Sequence, residues 1–214
     1  FAEKAYGPYG SLFEELAPPP PVGGDYDPVT AGALLSAAGW EDEDGDGVRE
    51  KNGQVLAFEL GVPADNDRRI SAAQLIQAQL AAVGVRVDLG SQEFNSLLAR
   101  ARARDYEAVF LGWQVGLDPD ISFFWADPES PVNIASYDGP VARSHIQAAL
   151  ASTTAREAAP HWAEAARLIA MDYPYAFLWY FDFVWVASKR LEAVEVDAVG
   201  FLRNPHEWRV RDGT

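Results

Sequence analysis

Asp105–Asp120, DYEAVFLGWQVGLDPD, decides the reading of the fold. Ala108-Val109-Phe110-Leu111 is a short apolar run that stops at Gly112-Trp113 and then turns through Gly116 and Asp118-Pro119. A run of this kind, bounded by Gly and Pro, predicts a buried central strand of an α/β sheet. Ligands of open α/β sheets lie beyond the carboxyl ends of the strands. Trp113, Gln114 and Asp118, just past this strand, are therefore the first candidates for ligand contact. The same pattern also fits a Trp113 that only caps the core above an ordinary loop.

Upstream, Gln54–Val62 alternates with Leu56, Phe58, Leu60 and Val62 on one face, which predicts a strand. After Pro63, Asp65-Asn66-Asp67 offers caps for a helix over Arg68–Val83, with Ala73, Ile76, Leu80 and Val83 as its buried stripe and Gly84 as its stop. Val85, Val87 and Leu89 mark a second strand, and Phe94, Leu97, Leu98 and Ala101 a second helix with Arg100, Arg102 and Arg104 on its wet side. The order β-α-β-α-β, with crossovers of this length, predicts parallel pairing and right-handed connections.

Further back, Asp42-Glu43-Asp44-Gly45-Asp46-Gly47-Val48-Arg49-Glu50 matches the front half of a calcium loop. Asp42, Asp44 and Asp46 stand at positions one, three and five, Val48 offers a carbonyl, and Glu50 adds charge directly or through water. Gly53 stands where the closing bidentate acid belongs. The competing reading is an acidic turn whose aspartates cap backbone amides. Before it, Asp27-Pro28 opens a helix whose apolar face is Ala31, Leu34, Leu35 and Ala38, ended by Gly39 with Trp40 packed back. Residues 1–24 contain Pro8, Pro18–Pro21 and Gly23-Gly24 and read as an extended connector, not a packed unit, pinned by Tyr6, Tyr9 and Phe13.

Downstream of Asp120 the pattern loosens. Ile121–Trp125 reads as a short aromatic helix, and Asp127–Asp138, with Asn133 and Tyr137, as a loop. Val141–Leu150 and Ala155–Met171 read as helices, the second bent or restarted at Pro160. Ala176–Ala187 reads as a long aromatic core strand with Phe177, Trp179, Phe181, Phe183 and Trp185 on one face. Leu191–Trp208 gives short strands and a tail.

The 214 residues suffice for one large domain or two small ones. Seventeen basic against 32 acidic residues leave a net charge of −15, which repels phosphate backbones and anionic headgroups and excludes nucleic acid as an expected partner. The absence of cysteine removes disulfides, thiolate nucleophiles and zinc–thiolate sites. The chain begins at Phe1, so a longer precursor is expected, with any targeting or anchoring segment outside this stretch. His145, His161 and His206 are scattered, without a second His at metal spacing or a Ser in an elbow motif. No phosphate-binding glycine loop is present either, so nothing points to an enzyme and no cofactor is required.

The runs YDPVTAGALLSAAGW (26–40), EDEDGDGVREKNG (41–53), AAQLIQAQLAAVGVRVDL (72–89), DYEAVFLGWQVGLDPD (105–120) and RLIAMDYPYAFLWY (167–180) resemble the solute-binding proteins of bacterial peptide-type ABC importers. The resemblance implies a periplasmic-binding-protein-like α/β lobe with a mixed, mostly parallel sheet flanked by helices. Within it, residues 1–24 are a connector or hinge, 25–188 the C-terminal ligand-binding lobe, and 189–214 a tail returning toward an N-terminal lobe. It further implies a monomer in the periplasm or outside the cell, free or anchored through a preceding segment, that clamps a peptide between lobes and delivers it to a membrane permease. The backbone at Gly112, Trp113 and Gln114 then bonds the ligand's main chain in the manner of strand addition. Asn66, Arg68 and Asn133 join Trp113, Gln114 and Asp118 as further candidates facing the cleft. The best-known peptide binders place an Asp three residues after this Trp to pair with the ligand's amino group; here that position is Gly116, and Asp118 is the available substitute. The alternatives are a receptor lobe for a non-peptide solute, such as an oligosaccharide or metal chelate, and a protein-interaction module without a small ligand.

Overall fold

The computed structural model describes residues 2–20, 25–114, 116–181, 184–197 and 202–211. The chain opens with β1 (Ala2–Lys4) and a 3-10 turn over Ser11–Leu16, followed by α1 (Pro28–Ala37) and the hairpin β2 (Glu50–Lys51) and β3 (Gln54–Val55). Then come β4 (Ala57–Pro63), α2 (Asp67–Ala81), β5 (Arg86–Gln92), α3 (Phe94–Arg102) and β6 (Ala108–Val109). They are followed by α4 (Ser122–Trp125), α5 (Pro140–Ala151), α6 (Ala155–Asp172) and β7 (Trp179–Phe181). Last are the short strands β8 (Leu191–Glu192), β9 (Glu195–Val196), β10 (Leu202–Arg203) and β11 (Arg209–Val210). The architecture is α/β. The chain divides into two compact units, Gly23–Trp113 and the combination of Phe1–Val22 with Gln114–Thr214.

The Gly23–Trp113 unit contains the expected β-α-β-α-β arrangement, a three-stranded parallel sheet of order β5-β4-β6, beside the antiparallel β2–β3 hairpin. The apolar alternation of β4 and β5 buries Leu60, Val62 and Val87, against which α2 sets Ala73 and α3 sets Leu97 and Ala101. The central strand is β4, not the Ala108–Leu111 run: β6 is an edge strand in register only at Leu60↔Ala108 and Gly61↔Val109. At its leading end the Glu107 carboxylate, not a strand carbonyl, accepts the Glu59 amide at 2.6 Å, so ladder pairing starts late. Phe110 N still donates to Gly61 O at 2.8 Å.

Asp27 caps α1 as expected, accepting from Val29 N at 3.1 Å and Thr30 N at 3.0 Å, and Gly39 ends it at φ +84°. The helix is not buried as its pattern predicted; none of its residues is buried, and Leu34 is 65% exposed. It is held instead by Arg49, whose guanidinium donates to Ser36 Oγ, Trp40 O and Val83 O at 2.7–2.9 Å.

In the other unit, the three residues between α5 and α6 make them neighbours, packed through Ile146, Ala149, Trp162, Ala165 and Ile169. α6 runs unbroken through Pro160. The first residues are packed more closely than an extended connector: β1 pairs antiparallel with β7, Ala5, Tyr9 and Leu16 are buried, and the Tyr180 hydroxyl donates to Gly7 O. Conversely, the long aromatic core strand is not formed. Among the described residues only Trp179–Phe181 is strand, and Trp185 is 51% exposed. Pro21, Gly23-Gly24 and Phe183, named in those expectations, lie outside the described residues.

Candidate functional site

The carboxyl ends of β4 and β6 and the first turn of α2 lie at the sheet edge where open α/β sheets can take ligands, in the Gly23–Trp113 unit. Asn66 is the N-cap of α2, its side-chain oxygen accepting from Arg69 N at 3.0 Å. Arg68 is exposed in the same turn. Gly112 is exposed and Trp113 half-buried, so the tryptophan is not a core plug.

Arg69 is absent from the sequence-based candidates and is the residue that organises this edge. A side chain at Gly112 would place its Cβ 3.0 Å from Arg69 Nη2, so the bare glycine is what admits the guanidinium. Arg69 is half-buried, and burial pulls its pKa down, with Asp65 opposing. Among the described residues its guanidinium has no hydrogen bond or ion pair. It also sits at the helix end where the macrodipole disfavours a cation. A guanidinium in this state can take an anion.

The chain passes into the other unit at Trp113–Gln114. There Gln114, Gly116, Asp118, Asp120 and Phe123 line an open recess of about 250 Å³. Asp118 Oδ1 accepts from Asp120 N at 3.0 Å, and Asp120 Oδ1 from Ser122 N at 2.7 Å, so each carboxylate keeps one oxygen outside these bonds. The buried Tyr9 hydroxyl donates to Pro119 O and fixes the loop from beneath. Burial, then Asp120 and Asp118, push the Tyr9 pKa well up, so it stays an uncharged donor. Two carboxylates beside the Phe123 ring suit an ammonium group.

Asn133 is not available to a ligand, a correction to the sequence-based set. It is 1% exposed, its Nδ2 donates to Asp127 O at 3.0 Å and Tyr137 O at 2.9 Å, and its Oδ1 accepts from Tyr137 N at 3.0 Å. The residue closes the 127–137 loop on itself. Asn133→Ala is expected to lower stability by about 2 kcal/mol, as buried amide partners lose their bonds, without changing ligand affinity. Denaturant melts and calorimetry on the same variant check both halves.

In the acidic loop, Asp42, Asp44 and Glu50 bring one carboxylate oxygen each to within 4.8 Å of one another. Asp46 stands outside this group and accepts from Val48 N at 2.8 Å. Asp42 accepts from Gly45 N at 2.7 Å and Gly47 N at 3.1 Å, the bonds of a self-capped turn.

The family model described as bacterial extracellular solute-binding proteins, family 5 Middle, matches residues 1–131. The oligopeptide-binding protein AppA of Bacillus subtilis is 26% identical over 188 residues, 86% of this chain and 35% of AppA. The nickel-binding periplasmic protein of Escherichia coli is 39% identical over 95 residues, 44% of this chain and 18% of its own length. The structure of AppA in complex with a nonapeptide superposes with a TM-score of 0.82 at 24% identity, covering 99% of this chain and 43% of AppA. The chain thus spans well under half the length of these relatives. With the model match extending over more than half of the 214 residues, the chain belongs to the bacterial extracellular solute-binding proteins of family 5.

Proposed function

We propose that this chain is the ligand-binding part of a monomeric receptor that captures peptides outside the cytoplasm and hands them to the permease of an ABC importer. The observation that carries the reading is the sheet edge at Gly112, where exposed main chain lies beside a half-buried arginine that has no hydrogen bond or ion pair among the described residues. Main-chain groups at Gly112, Trp113 and Gln114 bond an extended ligand regardless of its side chains. In the Gly23–Trp113 unit Arg69, with Arg68 beside it, suits a carboxylate; in the other unit Asp118 and Asp120 suit an ammonium group, in place of the acid missing at Gly116. The receptor does no chemistry on its cargo. Among the described residues no helix is long and apolar enough to cross a membrane.

The relative named for oligopeptides supports peptide over chelate, since its match extends over twice as many residues as that of the nickel-binding relative. Mass spectrometry of what co-purifies with the full-length receptor tests the reading. Peptides of mixed sequence are expected; a single oligosaccharide or metal chelate overturns it.

We also read the acidic loop as a structural calcium site, because three converging carboxylate oxygens suit a hard divalent ion. Calcium at about 100 times its Kd adds roughly 2.7 kcal/mol. For a protein of this size that is a rise of about 5–10 °C in Tm over the value in chelator. Superimposed melting curves would leave the loop as a turn held by its own amides.

A further inference from the structure

The fold brings together two imidazoles that the sequence keeps 16 residues apart. His145 on α5 and His161 on α6 face each other with their Nδ1 atoms 3.2 Å apart and their ring centroids 5.5 Å apart. The sequence shows these histidines as scattered, because a partner supplied by a neighbouring helix leaves no spacing motif. Both rings are half-buried, so they are ordered yet reachable from solvent. Ile146, next to His145, and Trp162, next to His161, are buried in the α5–α6 contact, so neither backbone is free to move away.

The two Nδ1 atoms are at hydrogen-bond distance, the tautomers deciding which donates, and the centroid separation is that of rings meeting nitrogen to nitrogen. Two nitrogens held by one tetrahedral ion at roughly 2.0–2.1 Å stand about 3.3–3.4 Å apart. The observed gap is within a few tenths of an ångström of that bite. Seating an ion requires a modest rotation of both rings and a shift of one proton from Nδ1 to Nε2, with no net proton released. The neutral hydrogen bond given up is worth only about 1 kcal/mol. Glu164, one turn beyond His161, adds negative charge nearby; Arg167 hydrogen-bonds its carboxylate at 2.6 and 2.8 Å and keeps it from acting as a ligand.

We propose that His145 and His161 form a two-imidazole site for a borderline divalent transition ion, with copper(II) held more tightly than zinc and the remaining positions filled by water or a small solute. The site is separate from the peptide edge and from the oxygen-lined acidic loop, and it stands whether or not the peptide reading does.

Titration of the chain with copper(II) at pH 7.5, followed by electron paramagnetic resonance, is expected to show one bound equivalent with nitrogen hyperfine structure. His145→Gln and His161→Gln are each expected to abolish that equivalent, whereas His206→Gln retains it. Retention of the full equivalent in either of the first two variants overturns the proposal. A readout on the unmutated chain guards against misfolded variants: imidazole nitrogen-15 spectra with zinc should show two Nδ1 signals shifting together. Ligation through Nε2, or imidazole signals that do not move, overturns it as well.

Discussion

Arg69→Ala in the full-length receptor is expected to weaken binding of a peptide with a free carboxyl terminus by about 100-fold, and of the same peptide amidated at that end by less than threefold. The magnitude follows from the state of the guanidinium. It is already partly desolvated and, among the described residues, lacks a partner, so the penalty of dehydrating it is carried by the empty protein. A carboxylate placed against it gains a charge-assisted, two-pronged bond without that penalty being charged again. Removing one member of such a pair costs about 2–5 kcal/mol, and a factor of 100 is about 2.7 kcal/mol. Arg69→Lys keeps the charge, loses the fork, and should recover only part of the affinity. Folding separates this account from simple damage. A half-buried cation near a helix N-terminus, without a bonded partner among the described residues, adds little to folding, so the alanine variant should melt no lower than the parent. A fall in Tm equal to the loss in binding would make Arg69 structural and sink the assignment. An equal loss for the amidated peptide would show that some other group on the ligand is being read.

Arg69 was legible in the sequence. Residues 69, 73, 76 and 80 fall on one stripe of α2, the stripe that buries Ala73, and a charged residue at the head of a buried stripe needs a reason. The neighbouring Arg68 drew attention because it looks equally polar, but it lies about 100° around the helix, on the exposed side. The β-α-β-α-β order was fully readable because each element carries its own period and each ends at a Gly or a cap. Which strand is central was not, since the short apolar run at Ala108–Leu111 reads the same as an edge or a middle strand; only the pairing of β4 with both β5 and β6 makes the difference. Asn133 shows the opposite error. A loop asparagine looks like a ligand contact, yet its three hydrogen bonds all stay within residues 127–137. The pairing of His145 with His161 was invisible for a simpler reason: it depends on how two helices face each other, which no spacing records.

Raising the pH past 10 is expected to destabilise the unit formed by Phe1–Val22 and Gln114–Thr214, with a slope that steepens toward at most roughly 4 kcal/mol per pH unit as the unfolded chain's tyrosines ionise fully. Tyr9, Tyr137 and Tyr180 all belong to this unit, and each has its pKa driven well above the usual tyrosine value, in every case chiefly by burial. Carboxylates reinforce the shift: Asp120 and Asp118 at Tyr9, Asp172 at Tyr137, where it also accepts the phenolic hydrogen at 2.7 Å, and Glu3 at Tyr180. Above the ordinary tyrosine pKa of about 10 the unfolded chain sheds these three protons while the folded unit keeps them. The folded state then binds more protons, and stability must fall as pH rises. Below that value both states hold the protons, and the three contribute no slope. Each retained proton is worth about 1.4 kcal/mol per pH unit, so Tyr9→Phe, which cannot ionise, should flatten the dependence by about a third while losing the bond to Pro119 at every pH. Urea melts at pH 8, 9.5 and 10.5, read by tyrosinate absorbance as well as circular dichroism, measure both slopes. A parent curve that stays flat past pH 10.5, or a Tyr9→Phe slope equal to the parent's, would mean that these phenols ionise in place. For Tyr9 that outcome would put a third negative charge beneath Asp118 and Asp120, so the loop that lines the ammonium recess and the hydroxyl that fixes it depend on the same proton.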